Sequence, residues 1–442
     1  MRKYKSNEKR QAKSPVPQLQ TIELSWWDRR FRLSPSNVLA LLLVASTAAA
    51  QPRYDLLLKG GHVIDAKSGT SAIRDVAITG PRIAAIAANI PASDARRIVD
   101  AAGLYVTPGL VDIHTHIFAA TMNRQYIGEN CVRPDGFTFR SGVTTVVDAG
   151  SSGWRNFGEF RDQIINKSKT RVFAMLNIVG SGMGGRPDVE QNTADMDAQA
   201  TAEVAKRNSD VVIGVKTAHY AGPEWIAVDR AVEAATISRG IVMVDFGNFR
   251  TERPFQELVL KHLRPGDVYT HTYLGSVPML DAQGKLMPYL LEARKRGIIF
   301  DVGHGAGSFS WKQAIPAVKQ GFLPDSISTD LHTASMNAGM KDMLNVMSKF
   351  LIMGVPLDDV VAMSTWRPAR QIHHEELGHL SVGAVADVAV LRLERGEFGF
   401  VDSAGLRFKG NRKLIAEMTV RDGAVVWDLN GMSSLDWDRA TR

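Results

Sequence analysis

The sequence predicts an α/β fold, in which a (β/α)8 barrel is joined to a small β-sandwich domain formed from both chain ends. Two observations support this prediction. Eight short apolar runs alternate with helix-length segments in the middle of the chain, and shorter β-type runs separated by Gly and Pro turns lie on either side. The chain has 442 residues, 45% of them hydrophobic, which suffices for a buried core and more than one domain.

The predicted barrel occupies residues 108–375. Several of its apolar runs are nearly continuous in Val and Ile, as expected of parallel strands buried on both faces. Helix-length segments such as 198–207, 229–239 and 286–296 separate them. Eight alternations suit a closed barrel, and a doubly wound open sheet is the alternative, because the sequence alone does not close the ring. The predicted strands are 110–113, 143–148, 172–178, 211–215, 241–244, 267–270, 298–302 and 326–329.

The two ends of the chain resemble each other in pattern. Strand-like runs cover 54–59, 75–78 and 82–86 near the start, and 386–391, 414–420 and 423–427 near the end. We therefore expect 51–107 and 376–430 to form one sandwich, with residues 431–442 as a tail.

The first 50 residues carry a net charge of +6 out of the +7 of the whole chain. The near-neutral remainder argues against nucleic-acid binding. A basic cluster at 29–32, an apolar run at 38–45 and small residues at 47–50 follow the order of a secretory signal peptide, and the apolar run is too short to span a bilayer comfortably. We expect an exported protein cleaved near Ala50–Gln51, with no membrane association after cleavage; the alternative is a disordered tail with an accidental apolar patch.

Histidines end the first predicted barrel strand. His114 and His116 lie two residues apart, so their side chains point to the same face. Two neutral imidazoles on one face can bind the same divalent metal ion. The sole cysteine, Cys131, excludes an internal disulfide and a Cys-based zinc site.

Other strand ends carry further polar residues. Lys216 follows the apolar fourth run, where it either pairs with a carboxylate or reacts with carbon dioxide to give an anionic carbamate. His271 ends the sixth run, His304 follows the seventh, and Asp330 and His332 follow the eighth; five of the eleven histidines thus lie at strand ends. This clustering indicates metal binding more than packing.

Motifs carried by these residues resemble those of the amidohydrolase superfamily, nearest its dihydroorotase-like and deacetylase-like members. The resemblance covers nearly everything after Gln51. The matching segments are 107–116, 142–150, 214–216, 270–271, 300–305, 328–332 and 380–387.

The resemblance implies a two-metal hydrolase. His114 and His116 would hold the first metal with Asp330, carboxylated Lys216 would bridge both metals, and His271 would hold the second. The metals would be zinc, or manganese, and a bridging hydroxide would attack a carbonyl carbon while Asp330 transfers the proton.

One position departs from the family pattern. A histidine is usual at the end of strand five, where this chain has Asp245. We expect Asp245 to replace this histidine as a ligand. A carboxylate oxygen favours manganese more than an imidazole nitrogen does. The alternative is a weak second site and a mononuclear enzyme.

The expected reaction is hydrolysis of an amide in a small N-acyl or acetylated compound. Cyclic-amide opening, ester hydrolysis and a non-catalytic scaffold of the same fold are the alternatives. His304, His332 and Tyr220 are candidate substrate-binding residues, with a structural role as the alternative for each. A small-molecule substrate is the expected partner, and a homo-oligomer is compatible with the sequence.

Overall fold

A computed structural model describes residues 52–119, 131–183 and 188–438, so the expected signal peptide lies outside the described residues. Two sheets organise this part of the chain. The strands are β1 (Leu56–Asp65), β2 (Thr70–Thr79), β3 (Arg82–Ala87), β4 (Ile98–Asp100), β5 (Tyr105–Pro108), β6 (Leu110–Thr115), β7 (Val143–Gly153), β8 (Arg171–Asn177), β9 (Val212–Ala218), β10 (Ile241–Asp245), β11 (Val268–Tyr269), β12 (Ile299–Phe300), β13 (Val388–Val401), β14 (Arg407–Arg421) and β15 (Ala424–Asp428).

Helices follow most of the barrel strands. The first predicted helix is found at its expected bounds, where Asp197 caps it by accepting a hydrogen bond from the Ala200 N–H at 3.0 Å. The helices are α1 (Phe157–Gln163), α2 (Ala198–Arg207), α3 (Ile226–Ser238), α4 (Phe255–Glu257), continued by a π-helical turn (Leu258–His262), α5 (Pro288–Lys295), α6 (Trp311–Lys319), α7 (Thr333–Asn337), α8 (Met343–Ile352), α9 (Leu357–Ala362) and α10 (Trp366–Gln371). None of the helices in the described ranges combines the length and apolar character needed to cross a bilayer.

Both chain ends build the eight-stranded sheet, as predicted. Its order is β15-β14-β13-β5-β1-β2-β3, with β4 paired to β1. The two ends meet where β5 pairs antiparallel with β13, with Val106 opposite Val390. Leu58, Val99 and Val420 are among the residues of its apolar core.

The seven-stranded sheet is parallel and follows the chain order from β6 to β12. Residues 326–331 complete the ring, because Ser326 bridges to Asp301 after β12 and Leu331 bridges to Thr115 of β6. The backbone N–H of Leu331 donates to His114 O at 3.2 Å, and the N–H of His116 donates to Leu331 O at 2.8 Å. The barrel is therefore closed, which rules out the open-sheet alternative.

The barrel strands are buried along their length. All six residues of β6 and all eleven of β7 are buried. Burial on both faces explains why several of the runs are nearly continuous in apolar residues. Those ends meet at one rim of the barrel, which is where polar side chains interrupt the pattern.

Candidate active site

Five chain segments bring polar side chains together at the carboxyl rim of the barrel. The side chains come from the end of β6, from β9, from the end of β10, and from the segments after β11 and after residues 326–329. The structure places all six predicted metal ligands in one contiguous group: His114, His116, Lys216, Asp245, His271 and Asp330.

The first cluster consists of His114, His116 and Asp330. Asp330 Oδ1 lies 3.0 Å from His116 Nε2 and 3.6 Å from His114 Nε2. His114 is inaccessible to solvent, whereas 12% of the His116 side chain is exposed. The first cluster therefore has some access from the rim.

The second cluster consists of His114, Asp245 and His271, all buried. His271 Nε2 lies 3.1 Å from Asp245 Oδ1. Lys216 Nζ lies beside the second cluster, 3.1 Å from Nε2 of the shared His114 and 3.3 Å from Asp245 Oδ2. Asp245 thus occupies the position expected of a ligand.

The donor atoms in both clusters suit a divalent metal ion. In each cluster three ligand atoms lie within 4.8 Å of one another. Imidazole nitrogens with a carboxylate oxygen form a donor set typical of zinc and of other first-row transition metals. Because His114 belongs to both clusters, two adjacent sites are compatible with this geometry.

Hydrogen bonds fix the tautomer of two of the histidines. Thr270 Oγ1 donates to Asp301 Oδ2 at 2.8 Å, so it accepts from His114 Nδ1 at 3.0 Å. His271 Nδ1 donates to the Gly303 carbonyl at 2.5 Å. In both rings Nδ1 therefore carries a proton, which leaves Nε2, the atom that faces the cluster, as the nitrogen available to a metal ion. His116 Nδ1 lies 3.0 Å from Ser151 Oγ, which can play the same part.

The backbone at this rim adopts uncommon conformations. His271 and Asp330 have φ values of 59° and 53°, in the left-handed region that side chains other than glycine rarely adopt. Glycines make room for the group. A Cβ at Gly303 would lie 2.8 Å from His271 Nδ1, and one at Gly150 would lie 2.7 Å from Lys216 Cβ.

Electrostatics leave His114 neutral and the two cluster carboxylates charged, whereas the Asp245 carboxylate raises the pKa of His271 above its usual value although burial acts to lower it. Burial and the nearby Lys216 charge hold the pKa of His114 well below its usual value, so the ring is neutral. Burial alone would raise the pKa of both cluster carboxylates. The surrounding histidines nevertheless hold the pKa of Asp330 well below its usual range, and His271 with Lys216 does the same for Asp245.

The sequence did not indicate one further arrangement, which lies beside the second cluster. His219 Nδ1 lies 2.7 Å from Glu190 Oε2, and its Nε2 lies 3.9 Å from Asp245 Oδ2. Glu190 also accepts from Asn177 Nδ2 at 3.0 Å. Glu190 is 29 residues from His219 and belongs to a different loop, so only the proximity of His219 to Lys216 could have drawn attention to this pair.

The three candidate substrate-binding residues have different surroundings. His304 is buried, donates from Nδ1 to the Gly305 carbonyl at 2.9 Å and receives a hydrogen bond from Lys349 at 2.5 Å, which favours its structural alternative. His332 caps α7, and its Nε2 lies 3.6 Å from Asp330 Oδ2, which suits orientation of that carboxylate. The Tyr220 hydroxyl donates to Glu224 Oε2 at 2.7 Å.

Comparisons with known proteins agree with the fold. Residues 310–426 match the amidohydrolase family. A deacetylase of Agrobacterium fabrum is 34% identical over 348 residues, which cover 77% of this chain and 83% of the relative.

Two solved structures resemble the chain over most of its length. A crystal structure of an adenine deaminase has a TM-score of 0.76 at 28% identity and covers 85% of this chain and 100% of its own. A crystal structure of a dihydroorotase has a TM-score of 0.72 at 30% identity and covers 84% of this chain and 99% of its own. The chain therefore belongs to the amidohydrolase superfamily, as the motifs indicated, and is a hydrolytic enzyme with a candidate divalent-metal centre at the barrel rim.

Proposed function

We propose that this enzyme removes the acetyl group from a small N-acetylated compound by hydrolysis of its amide bond. The observation that carries the proposal is the pair of ligand clusters sharing His114, in a chain whose relative at 34% identity is a deacetylase. The same clusters argue against the non-catalytic scaffold, because a scaffold has no need of a complete ligand set.

We assign the centre to two divalent ions, with zinc as the expected metal. His114, His116 and Asp330 would hold the first ion, and Asp245 with His271 the second. Lys216, as its carbamate, would bridge both; its Nζ lies next to the histidine that the clusters share. The oxygen donor of Asp245 keeps manganese as the alternative.

The chain's own residues divide the remaining work. When bound, divalent ions at this site would supply a Lewis acid and acidify a water molecule to near-neutral pH. Asp330 Oδ1 faces His114 and His116, whereas Oδ2 faces His332. Oδ2 is therefore the atom expected to accept the proton of the attacking water and return it to the leaving nitrogen, with His332 holding its orientation.

Ring opening of a cyclic amide is the second candidate, favoured by the structural likeness to a dihydroorotase. Ester hydrolysis requires the same machinery. These reactions differ in substrate shape rather than in chemistry, so a substrate panel separates them.

The deciding experiment combines metal analysis with that panel. Protein expressed with and without bicarbonate is examined for metal content, and each preparation is assayed on N-acetyl amino acids, cyclic amides, acetyl esters and adenine. We expect about two ions per chain and hydrolysis of an N-acetylated compound. Asp330→Asn should lower kcat by about 10²–10⁴-fold, and Asp245→Ala should reduce metal content towards one; exposed Asp162→Asn is the matched control.

Other results would change the assignment. One ion per chain in the wild type would remove Asp245 from the ligand set and leave a mononuclear hydrolase. Exclusive turnover of cyclic amides, esters or adenine would replace the deacetylase assignment. No metal after reconstitution would restore the scaffold alternative.

We also propose that the protein is exported, because residues 29–50 follow the order of a signal peptide. Amino-terminal sequencing of protein from the native host should begin near Gln51. A mature chain that begins well before Gln51 would contradict export by this route.

A further inference from the structure

A second fully buried lysine lies outside the ligand clusters. Lys349 of α8 is inaccessible to solvent. Its Nζ donates to His304 Nε2 at 2.5 Å, to the Gly339 carbonyl at 2.8 Å and to the Val401 carbonyl at 2.7 Å. These three acceptors satisfy all the N–H groups of an ammonium.

Burial of this amine is unfavourable in itself. Within the described residues no carboxylate forms an ion pair with Lys349, and desolvation lowers its pKa to about 7. The rings of Phe309 and Trp311 face Nζ at 5.3 and 5.7 Å and recover part of the cost. Burying an apolar side chain at this position would cost less free energy than burying a lysine. The presence of Lys349 and its hydrogen bonds therefore requires an explanation.

The contact with His304 provides one. His304 donates from Nδ1 to the Gly305 carbonyl at 2.9 Å, so Nε2 carries the lone pair that accepts from Lys349. Its ring also stacks on Phe309, with 4.6 Å between ring centroids. Lys349 thereby fixes the orientation of the His304 ring through Nε2, the second of its two ring nitrogens.

His304 is the middle residue of the turn formed by residues 303–305, which touches both clusters. The Gly303 carbonyl accepts the hydrogen bond that sets the tautomer of His271. On the other side, Gly305 lies so close to Asp330 that an added Cβ would collide with Oδ2. A displacement of this turn would therefore move one ligand of each cluster.

We propose that Lys349 is a positioning residue, which acts through His304 and the 303–305 turn to hold His271 and Asp330 in the geometry that binds metal. The Val401 carbonyl belongs to β13, so the link also ties the sheet built from the chain ends to the ligand clusters. This inference rests on the proposed metal centre.

The test measures metal affinity in the folded full-length enzyme. Lys349→Met removes the amine, His304→Phe removes its acceptor, and the double variant tests whether the two act as one unit. Ser348→Ala is the matched control: Ser348 is also buried in α8 and accepts from the Leu414 N–H of β14 at 2.9 Å, but has no contact with the turn. Zn²⁺ affinity is measured by chelator competition, and the visible spectrum of the Co²⁺ form reports ligand geometry.

Each single variant should bind metal about 10–100-fold more weakly than the wild type, which is the usual effect of removing a residue that supports a metal ligand. The Co²⁺ spectrum should shift, and the double variant should be no weaker than the weaker single variant, because both changes break one link. Ser348→Ala should keep the wild-type affinity and spectrum even if its stability falls.

A folded Lys349→Met with wild-type affinity and spectrum would overturn the inference. If Lys349→Met does not fold, His304→Phe decides, since the same link is broken from the other side. A wild-type enzyme that binds no metal would overturn the proposed centre and this inference together, whereas unchanged variants beside a metal-binding wild type overturn the inference alone.

Discussion

Two lysines of this protein are fully buried within the described residues, and their surroundings differ in one decisive way. Both lie next to the Nε2 atom of a buried histidine, Lys216 beside His114 and Lys349 beside His304. Lys216 also faces the Asp245 carboxylate at 3.3 Å, whereas the other two partners of Lys349 are backbone carbonyls.

This difference indicates that Lys216 acts in the proposed metal site, whereas Lys349 has a structural role. A lysine among imidazoles and carboxylates lies where a metal ion and its ligands belong, and a change there alters the donor set. A lysine bound to two backbone carbonyls and to a histidine outside the ligand clusters is instead expected to hold chain segments in place. The same residue type, buried to the same extent, is thus expected to produce unequal losses in the two regions when it is replaced.

Replacement of Lys216 should have the largest effect. Lys216→Met removes the proposed bridging ligand, whose amine lies 3.3 Å from Asp245 Oδ2. Metal content and activity should therefore fall by more than the roughly 10–100-fold expected for loss of an outer partner. Elemental analysis and kcat/KM are the measurements, with exposed Lys312→Met as control. Metal content equal to that of the wild type would take Lys216 out of the ligand set.

A smaller effect is expected from pH at Lys349. Its pKa in the folded protein is about 7, below the ordinary 10.5. Between these two pH values Lys349 binds more protons in the unfolded chain than in the folded protein. The contribution of Lys349 to the free energy of unfolding therefore rises with pH. The full cost of burying its charge is present below pH 7 and is lost above pH 10.5. The free energy of unfolding of the wild type, minus that of Lys349→Met, should rise by up to about 1.4 kcal/mol per pH unit in this window.

Urea denaturation at several pH values between 7.5 and 9.5 tests this, because titrations shared by the two proteins cancel in the difference. Ser348→Ala should show no such slope against the wild type. A difference that stays flat with pH would mean that Lys349 keeps its ordinary affinity for protons.

The sequence predicted the fold from local pattern, and local pattern together with the family resemblance pointed to the six residues that the structure brings together at the rim. Buried parallel strands read as continuous apolar runs, and polar residues at their ends stand out against them, as Lys216 does after β9's apolar residues. Asp245 was identified differently, because it stands at the end of β10 where the family pattern has a histidine. The predicted eighth strand lies at the expected place in the ring, but residues 326–331 form isolated bridges there and no regular strand.

What the sequence could not provide depends on contacts between distant segments. Lys349 also interrupts an apolar stretch, but its acceptors lie at positions 304, 339 and 401, and no spacing within α8 indicates them. For the same reason His304 was expected to contact substrate, since its position on the rim was visible and its partner was not. Glu190, paired with His219 from another loop, was missed likewise.

The pairing of β5 with β13 has a consequence for how the chain folds during synthesis. β5 leads after one residue into β6, the strand that ends at the first ligand histidines, yet its partner strand is made about 280 residues later. Such pairing between distant segments slows folding, since a long loop must close before the contact is gained. One side of β5, whose other side pairs with β1, therefore stays unpaired until nearly the whole polypeptide has emerged, and a chain that terminates before Val388 would leave β5 as an exposed sheet edge, open to aggregation.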